Sequence, residues 1–325
     1  MTSLKTLFFI VVTTLVFGSG ALAANSEQQE EAKRKGIELY NQFKAISALP
    51  YLKIAAEGSD HESQYYLGEA LRKNKKYMTP EAQRAYEASA SQGDLYAMIR
   101  LSQRGGDLCV QMNNCPSEQK SPMDWRKSAL EAATKQAEMG DSEAMYLLYR
   151  LTGDEKWFER SAEGGYALSQ YYLGAEYREG KGFFLTPAKR ADVVERWMRA
   201  SAEGGNPQGM LAYAAIQGRK QDWQTFRYWN EKAALTGYVS AVYGYGSYLA
   251  GQSPEYGFKE DLVTAYACIS WVLEMDGGGG MKEFAQEELP QIAARMSAQQ
   301  IEQSEKLLTE WKASRPPLSF FPDKL

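Results

Sequence analysis

The chain has 325 residues, of which 44% are hydrophobic and 24% charged, with a formal net charge of −4. A mildly acidic balance excludes a generic nucleic-acid binder, because neutralising phosphates requires clustered Lys and Arg. One histidine, His61, leaves little material for His-based zinc hydrolase sites or for a nucleophile triad.

The first residues read as a processing signal. Lys5 supplies a positive end, the stretch from Leu7 to Phe17 carries no charge, and Gly18-Ser19-Gly20 interrupts it. Ala21-Leu22-Ala23 has the small-x-small pattern of a cleavage site, so cleavage is predicted after Ala23 and the mature net charge becomes −5. The uncharged run of 11 residues falls short of a membrane span, and no cysteine follows the cleavage point to carry a lipid. The expected location is the periplasm, without cofactor, metal, nucleic acid or membrane-spanning segment.

From there the chain repeats itself. Ala56-Glu57-Gly58, Ser91-Gln92-Gly93, Glu138-Met139-Gly140, Ala162-Glu163-Gly164-Gly165 and Ala202-Glu203-Gly204-Gly205 each end a helical pattern, and Thr236-Gly237 and Asp276-Gly277 hold the same place more loosely. Glycines 58, 93, 140, 164, 204, 237 and 277 are separated by 35, 47, 24, 40, 33 and 40 residues. Such a period marks stacked helix pairs. The terminal glycines suit a left-handed helix end. Asp60, Asp94, Asp141 and Asn206 follow them, where a short polar side chain caps the next helix. The clearest unit has helix A over 167–177, a loop through Gly182, and helix B over 191–202.

Between the second and fourth units lies an insertion, about 104–122, with Cys109 and Cys115. In an oxidising compartment these two can bridge a short loop containing Asn113-Asn114, leaving Cys268 as a buried thiol. After residue 280 the pattern changes to two amphipathic helices, 281–296 and 297–312, the second opening with a capped start at Ser297. They read as a polar end to a repeat stack. In the tail Arg315–Pro322, Phe320 and Phe321 either pack back on these helices or stay available to a partner.

Tyr171, Leu173, Gly174, Tyr177, Gly180, Gly182, Trp197, Ala202 and Gly204 together resemble the Sel1-like repeat family, a relative of the tetratricopeptide repeats. Tyr65, Leu67, Gly68, Tyr86, Ala90 and Gly93 carry the same pattern. So do Trp229, Ala233, Ala234 and Gly237, and then Tyr243, Gly246 and Trp271. The resemblance covers most of 30–280 and implies an all-α, right-handed superhelical solenoid of about seven helix-turn-helix repeats over 24–280, with residues 281–325 as cap and tail. It also implies that helix A lines a concave face. By that mapping Tyr66, Glu69, Arg100, Gln103, Arg150, Tyr172 and Glu176 should meet a partner.

No phosphate-binding glycine loop is present, since Gly277–Gly280 lacks a following Lys-Ser/Thr. Carboxylates alternate with basic residues as on a solvated helix face. The expectation is a non-enzyme that binds another protein and is monomeric alone. By family analogy, exported members act as immunity proteins that neutralise type VI secreted phospholipases. The alternative is an adaptor in cell-envelope or exopolysaccharide assembly or signalling.

Overall fold

The computed structural model describes residues 26–117, 119–275, 280–321, 324 and 325. The expected signal peptide and its cleavage site lie outside them, as does most of the four-glycine run. Among the described residues the regular structure is helical apart from one isolated bridge, between Tyr238 and Ser319.

The chain divides into two bodies, one reaching Tyr40 and resuming over Lys44–Trp125, the other comprising Asn41–Phe43 and Arg126–Leu325. In the first, helix α1 spans 26–41. It is followed by α2 (Ala45–Glu57), α3 (His61–Lys75), α4 (Pro80–Ser91), α5 (Leu95–Ser102), a 3-10 turn at Arg104–Gly106 and the single turn α6 (Leu108–Gln111). Helix α7 (Pro122–Glu138) begins at the end of the first body and runs into the second. The second body continues with α8 (Ser142–Thr152), α9 (Glu155–Glu163), α10 (Ala167–Arg178), α11 (Pro187–Glu203), α12 (Pro207–Arg219) and α13 (Trp223–Leu235). It ends with α14 (Val239–Leu249), α15 (Leu262–Val272), α16 (Met281–Ala293) and α17 (Ala298–Ser314). Within each body, helices pack mainly on their neighbours in chain order, α2 on α3 on α4 on α5 and α8 through to α15, with α16 and α17 against α15. Nearest-neighbour packing of this kind is how helical repeats bury faces that no single hairpin could cover alone.

The helix starts follow from local chemistry. Asp60, Asp94, Asp141 and Asn206 each accept a backbone N–H of the helix they precede, and Ser297 forms a reciprocal capping box with Gln300. Gly93, Gly140 and Gly237 have the expected left-handed conformation, at φ 94°, 92° and 79°; in the glycine pairs it belongs to the second residue, which corrects the expectation for Gly164 and Gly204. Gly164 and Gly204 keep negative φ of −72° and −76°. Their need is space: a Cβ on Gly204 would come within 2.9 Å of the Ala167 Cβ. The left-handed residues are Gly165 and Gly205, at φ 95° and 90°, where a side chain would be strained. After Gly58 that conformation falls to Ser59, φ 59°.

Buried serines stitch the hairpins, a device absent from the sequence reading. Ser89 on α4 donates to the His61 carbonyl (2.7 Å), Ser161 on α9 to that of Ser142 (2.6 Å), and Ser201 on α11 to that of Ala167 (2.7 Å). Each hydroxyl ties the end of one helix to the start of the helix before it, and each serine is fully buried. A satisfied buried hydroxyl contributes about 1 kcal/mol, and the geometry fixes the angle at which the helices meet.

The glycine within helix A has a different purpose. A Cβ at Gly68 would lie 2.8 Å from the Tyr86 ring, and one at Gly174 would lie 3.1 Å from the Met198 methyl. Tyr86 is fully buried and its hydroxyl is committed to Glu69, whereas the end of a methionine yields. Gly68→Ala is therefore expected to cost about 1–3 kcal/mol by overpacking. Gly174→Ala should cost less, because alanine is about 1 kcal/mol better in a helix and the Met198 end gives way, while the Trp197 Cβ at 3.2 Å does not. Denaturant titration of the two variants side by side checks this, and equal losses would contradict it.

Leu318 and Ser319 pack beside Gly237–Val239, with backbone bonds Ser319 N–H to Gly237 O (2.8 Å) and Val239 N–H to Ser319 O (3.0 Å). Phe320 stacks on Phe43 at 4.5 Å, and Phe321 is 44% exposed. The first phenylalanine thus packs back, on Phe43 in the turn before α2 and against the buried cluster that includes Trp311. The second leaves much of its ring open.

Candidate functional site

The seven residues mapped to the partner face separate into two groups, one in each body. In the first body α3 carries Glu69 into the interior, where it is 1% exposed. Arg100 Nε donates to its Oε1 at 2.6 Å, the Tyr86 hydroxyl to the same oxygen at 2.7 Å, and the Tyr40 hydroxyl to Oε2 at 3.2 Å. Arg72 approaches Oε2 at 3.7 Å. Tyr66, 5% exposed, packs edge-on against Tyr40 (5.1 Å) and Tyr65 (5.6 Å). Burial and the Glu69 charge raise the pKa of Tyr40, Tyr65 and Tyr86 above the usual phenol value.

Tyr66 and Glu69 therefore cannot meet a partner, and the expectation for them is corrected. Helix α1 supplies Tyr40, which covers the face that register alone assigns to a concave surface. Arg100 points the same way, its side chain 15% exposed. Gln103 is exposed at the end of α5, next to the insertion.

That insertion is a built loop. Cys109 and Cys115 are bonded. Asp107 accepts the Met78 N–H (2.9 Å) and the Cys109 N–H (2.9 Å), and Arg104, 5% exposed, donates to the Pro116 carbonyl. Leu108, Val110 and Met112 are left 44%, 49% and 48% exposed. Three apolar side chains shown to solvent on a cross-linked turn are more than a free surface needs.

In the second body α8, α9 and α10 enclose an open cleft of about 430 Å³, and here the remaining three residues come together. Arg150, Tyr172 and Glu176 line it with Tyr146, Tyr149 and Tyr171. Its aromatic wall is ordered: Tyr149 stacks on Phe158 at 4.7 Å, and Tyr171 and Tyr172 lie 5.4 Å apart. Arg150 donates to the Tyr146 hydroxyl at 3.0 Å. Lys181 bridges Glu155 and Glu176, 2.8 Å from each. Burial works against the Lys181 charge, but the hydrogen bonds and charges of these two carboxylates outweigh it and raise the ammonium pKa. Burial likewise raises the Tyr171 pKa. Aromatic faces with a charged rim suit recognition of a protein surface, where Tyr and Arg recur at the energetic centre.

Tyr146, Tyr149 and Arg150 sit at helical spacing on one face of α8, a signal readable in the sequence but hidden by the degeneracy of that repeat. His61, the one histidine, is 3.0 Å from Asp94 at the start of α3. Among the described residues no group of three or more His, Cys, Asp or Glu side chains is placed to hold a metal ion. No helix among them is long and apolar enough to cross a membrane.

Neither a protein-family model nor a curated protein matches the chain. Solved structures do. A protective antigen, c5321, of uropathogenic Escherichia coli with an SLR fold is 23% identical over 90% of this chain and 62% of its own, with a TM-score of 0.47. A Sel1 repeat protein from Oxalobacter formigenes is 20% identical over 74% of this chain and 99% of its own, with a TM-score of 0.41. An immunity protein, Pa5087, from Pseudomonas aeruginosa is 14% identical over 71% of this chain and 81% of its own, with a TM-score of 0.39. The chain spans less than two thirds of the length of the Escherichia coli antigen.

Proposed function

We propose that this chain is an exported, non-catalytic protein-binding repeat protein, processed after Ala23, that acts in the periplasm as an immunity protein against a type VI secreted lipase or phospholipase. The observation that carries the reading is the open aromatic cleft of α8–α10, with Arg150, Tyr172 and Glu176 on its walls. The exposed Leu108, Val110 and Met112 of the disulfide loop form a second contact. A rigid aromatic surface loses little side-chain freedom on binding, and neutralising a lipase requires only that its active site or its membrane-docking face be covered. The Cys109–Cys115 bond accords with an oxidising compartment.

The test is co-production of the mature chain with a type VI secreted lipase or phospholipase, reading survival, followed by titration of the purified pair. Survival should be restored, and Arg150→Glu with Tyr172→Ala should weaken affinity by about 2 kcal/mol or more, the range of interface hot spots. No rescue, or unchanged affinity in that variant, would refute the assignment. Leu108→Ser with Met112→Ser tests the loop separately and leaves Asp107 and Arg104, which hold it, in place. A further loss of about 1 kcal/mol is expected, measured by the same titration.

A further inference from the structure

The loop between α10 and α11 is held in a specific shape. Arg190 of α11 donates to two of its carbonyls, those of Lys181 (2.8 Å) and Gly182 (3.1 Å), and to that of Tyr177 in the last turn of α10 (2.8 Å). The guanidinium also sits 4.7 Å from the Phe184 ring centre, and Tyr177 meets the same ring edge-on at 5.4 Å. Phe184 is thus turned inward. Phe183 and Leu185, on either side of it, face out, 88% and 85% exposed. No other large hydrophobic side chain among the described residues is as exposed as these two.

Beside this finger runs a groove of about 500 Å³, with Val194 and Ile216 at its base and the exposed Leu185 and Pro187 at its edge. Two cations flank it, Arg178 in the last turn of α10 and Arg219 in the last turn of α12. Helix dipoles favour positive charge at these ends, and neither guanidinium is in an ion pair among the described residues, while nearby Lys220 is bound to Glu195. A chain of net charge −4 here presents an apolar trough between two arginines without an ion pair among the described residues, of which Arg178 also lines the cleft of α8–α10. That arrangement complements a segment with an apolar side chain between carboxylates.

We infer that the α10–α12 groove with its Phe183–Leu185 finger docks an acidic, apolar-anchored peptide segment of the partner protein. The inference rests on the protein-binding reading above and names the chemistry of what is bound. A protein segment fits better than an anionic membrane, because the apolar floor is concave and takes an inserted side chain, which a bilayer surface does not supply. The charges steer the segment and the floor retains it.

Three probes test this against the full mature chain: a short labelled peptide with two leucines between glutamates, its counterpart with lysines in place of the glutamates, and phosphatidylglycerol vesicles. The acidic peptide should bind by fluorescence anisotropy and the lysine peptide should not. Arg178→Glu with Arg219→Glu should weaken binding about tenfold or more, with stronger binding at low salt. Leu185→Ser should also weaken it, with an unchanged melting curve because the side chain is exposed. Met123→Ser, which removes a comparably exposed apolar side chain from α7, should leave peptide binding intact. The inference is overturned if neither peptide binds, if both bind alike, or if the vesicles alone retain the chain. None of these readouts uses a toxin, so failure here and failure to rescue cells remain separate results.

Discussion

Replacing Glu69 by alanine is expected to cost about 3–5 kcal/mol of folding stability, the usual loss when one member of a buried ion pair is removed. The carboxylate gathers Arg100, Tyr86 and Tyr40 within 3.2 Å. Its removal leaves a mostly buried guanidinium uncompensated and deprives two buried hydroxyls of their acceptor. Glu69→Gln keeps an acceptor oxygen but loses the charge, so a smaller loss is expected. Urea titration of both variants provides the measurement. It also separates the two roles a carboxylate on helix A can have. A contact residue would weaken partner binding and spare stability, whereas this buried one should do the reverse. A Glu69→Ala variant within about 0.5 kcal/mol of the parent, the spread of ordinary surface changes, would show that the network does not hold the first body together.

Much of the helical plan is readable before any coordinates. Helix A of the 167–204 repeat begins and ends within a residue of its periodic pattern, because an aromatic and small-residue face and the left-handed Gly180 just beyond its end agree there. Helix B starts four residues earlier than the pattern, since Thr186 caps it and Pro187 suits a first turn. Exposure was less legible. Tyr66 and Tyr172 hold the same place before Leu-Gly, yet one is buried and the other lines an open cleft. The difference lies in Tyr40, 29 residues before Glu69 and on a helix outside the repeat pattern. Register states which way a side chain leaves its helix; it does not state what another helix lays over it. The cleft escaped notice for a related reason. Its wall includes Tyr146, Tyr149 and Phe158 from a repeat whose sequence has drifted, so pattern matching passes over the residues that make that surface distinctive. The serine stitches were visible as Ser-Ala at the ends of three B helices, but a hydroxyl among small residues reads as packing until its carbonyl partner is located.

The same network makes the first body sensitive to alkali. Tyr40, Tyr65 and Tyr86 are buried, and burial together with the Glu69 charge raises each phenol above the reference value of 10.0. Below pH 10 these phenols are protonated in both folded and unfolded chains, and their contribution is complete. Above it the unfolded chain releases protons that the folded chain retains, so stability falls as pH rises from 10 toward the folded values. Each phenol loses about 1.4 kcal/mol per pH unit in that window, and three acting together approach the whole stability of an ordinary domain, about 5–15 kcal/mol, within two pH units. Cys268, in the second body, adds to the trend from lower pH, because burial pushes its thiol from 9.0 up to about 12. Denaturant titrations at successive pH values, with phenolate absorbance followed in parallel, should show phenols that ionise only as the first body unfolds. Tyr65→Phe removes one of the three and should lower the slope by about a third, whereas Cys268→Ala should alter the curve only for the second body. Stability that stays level from pH 10 to 12 would mean the phenols ionise in place, and the buried Glu69 cluster would lose its support.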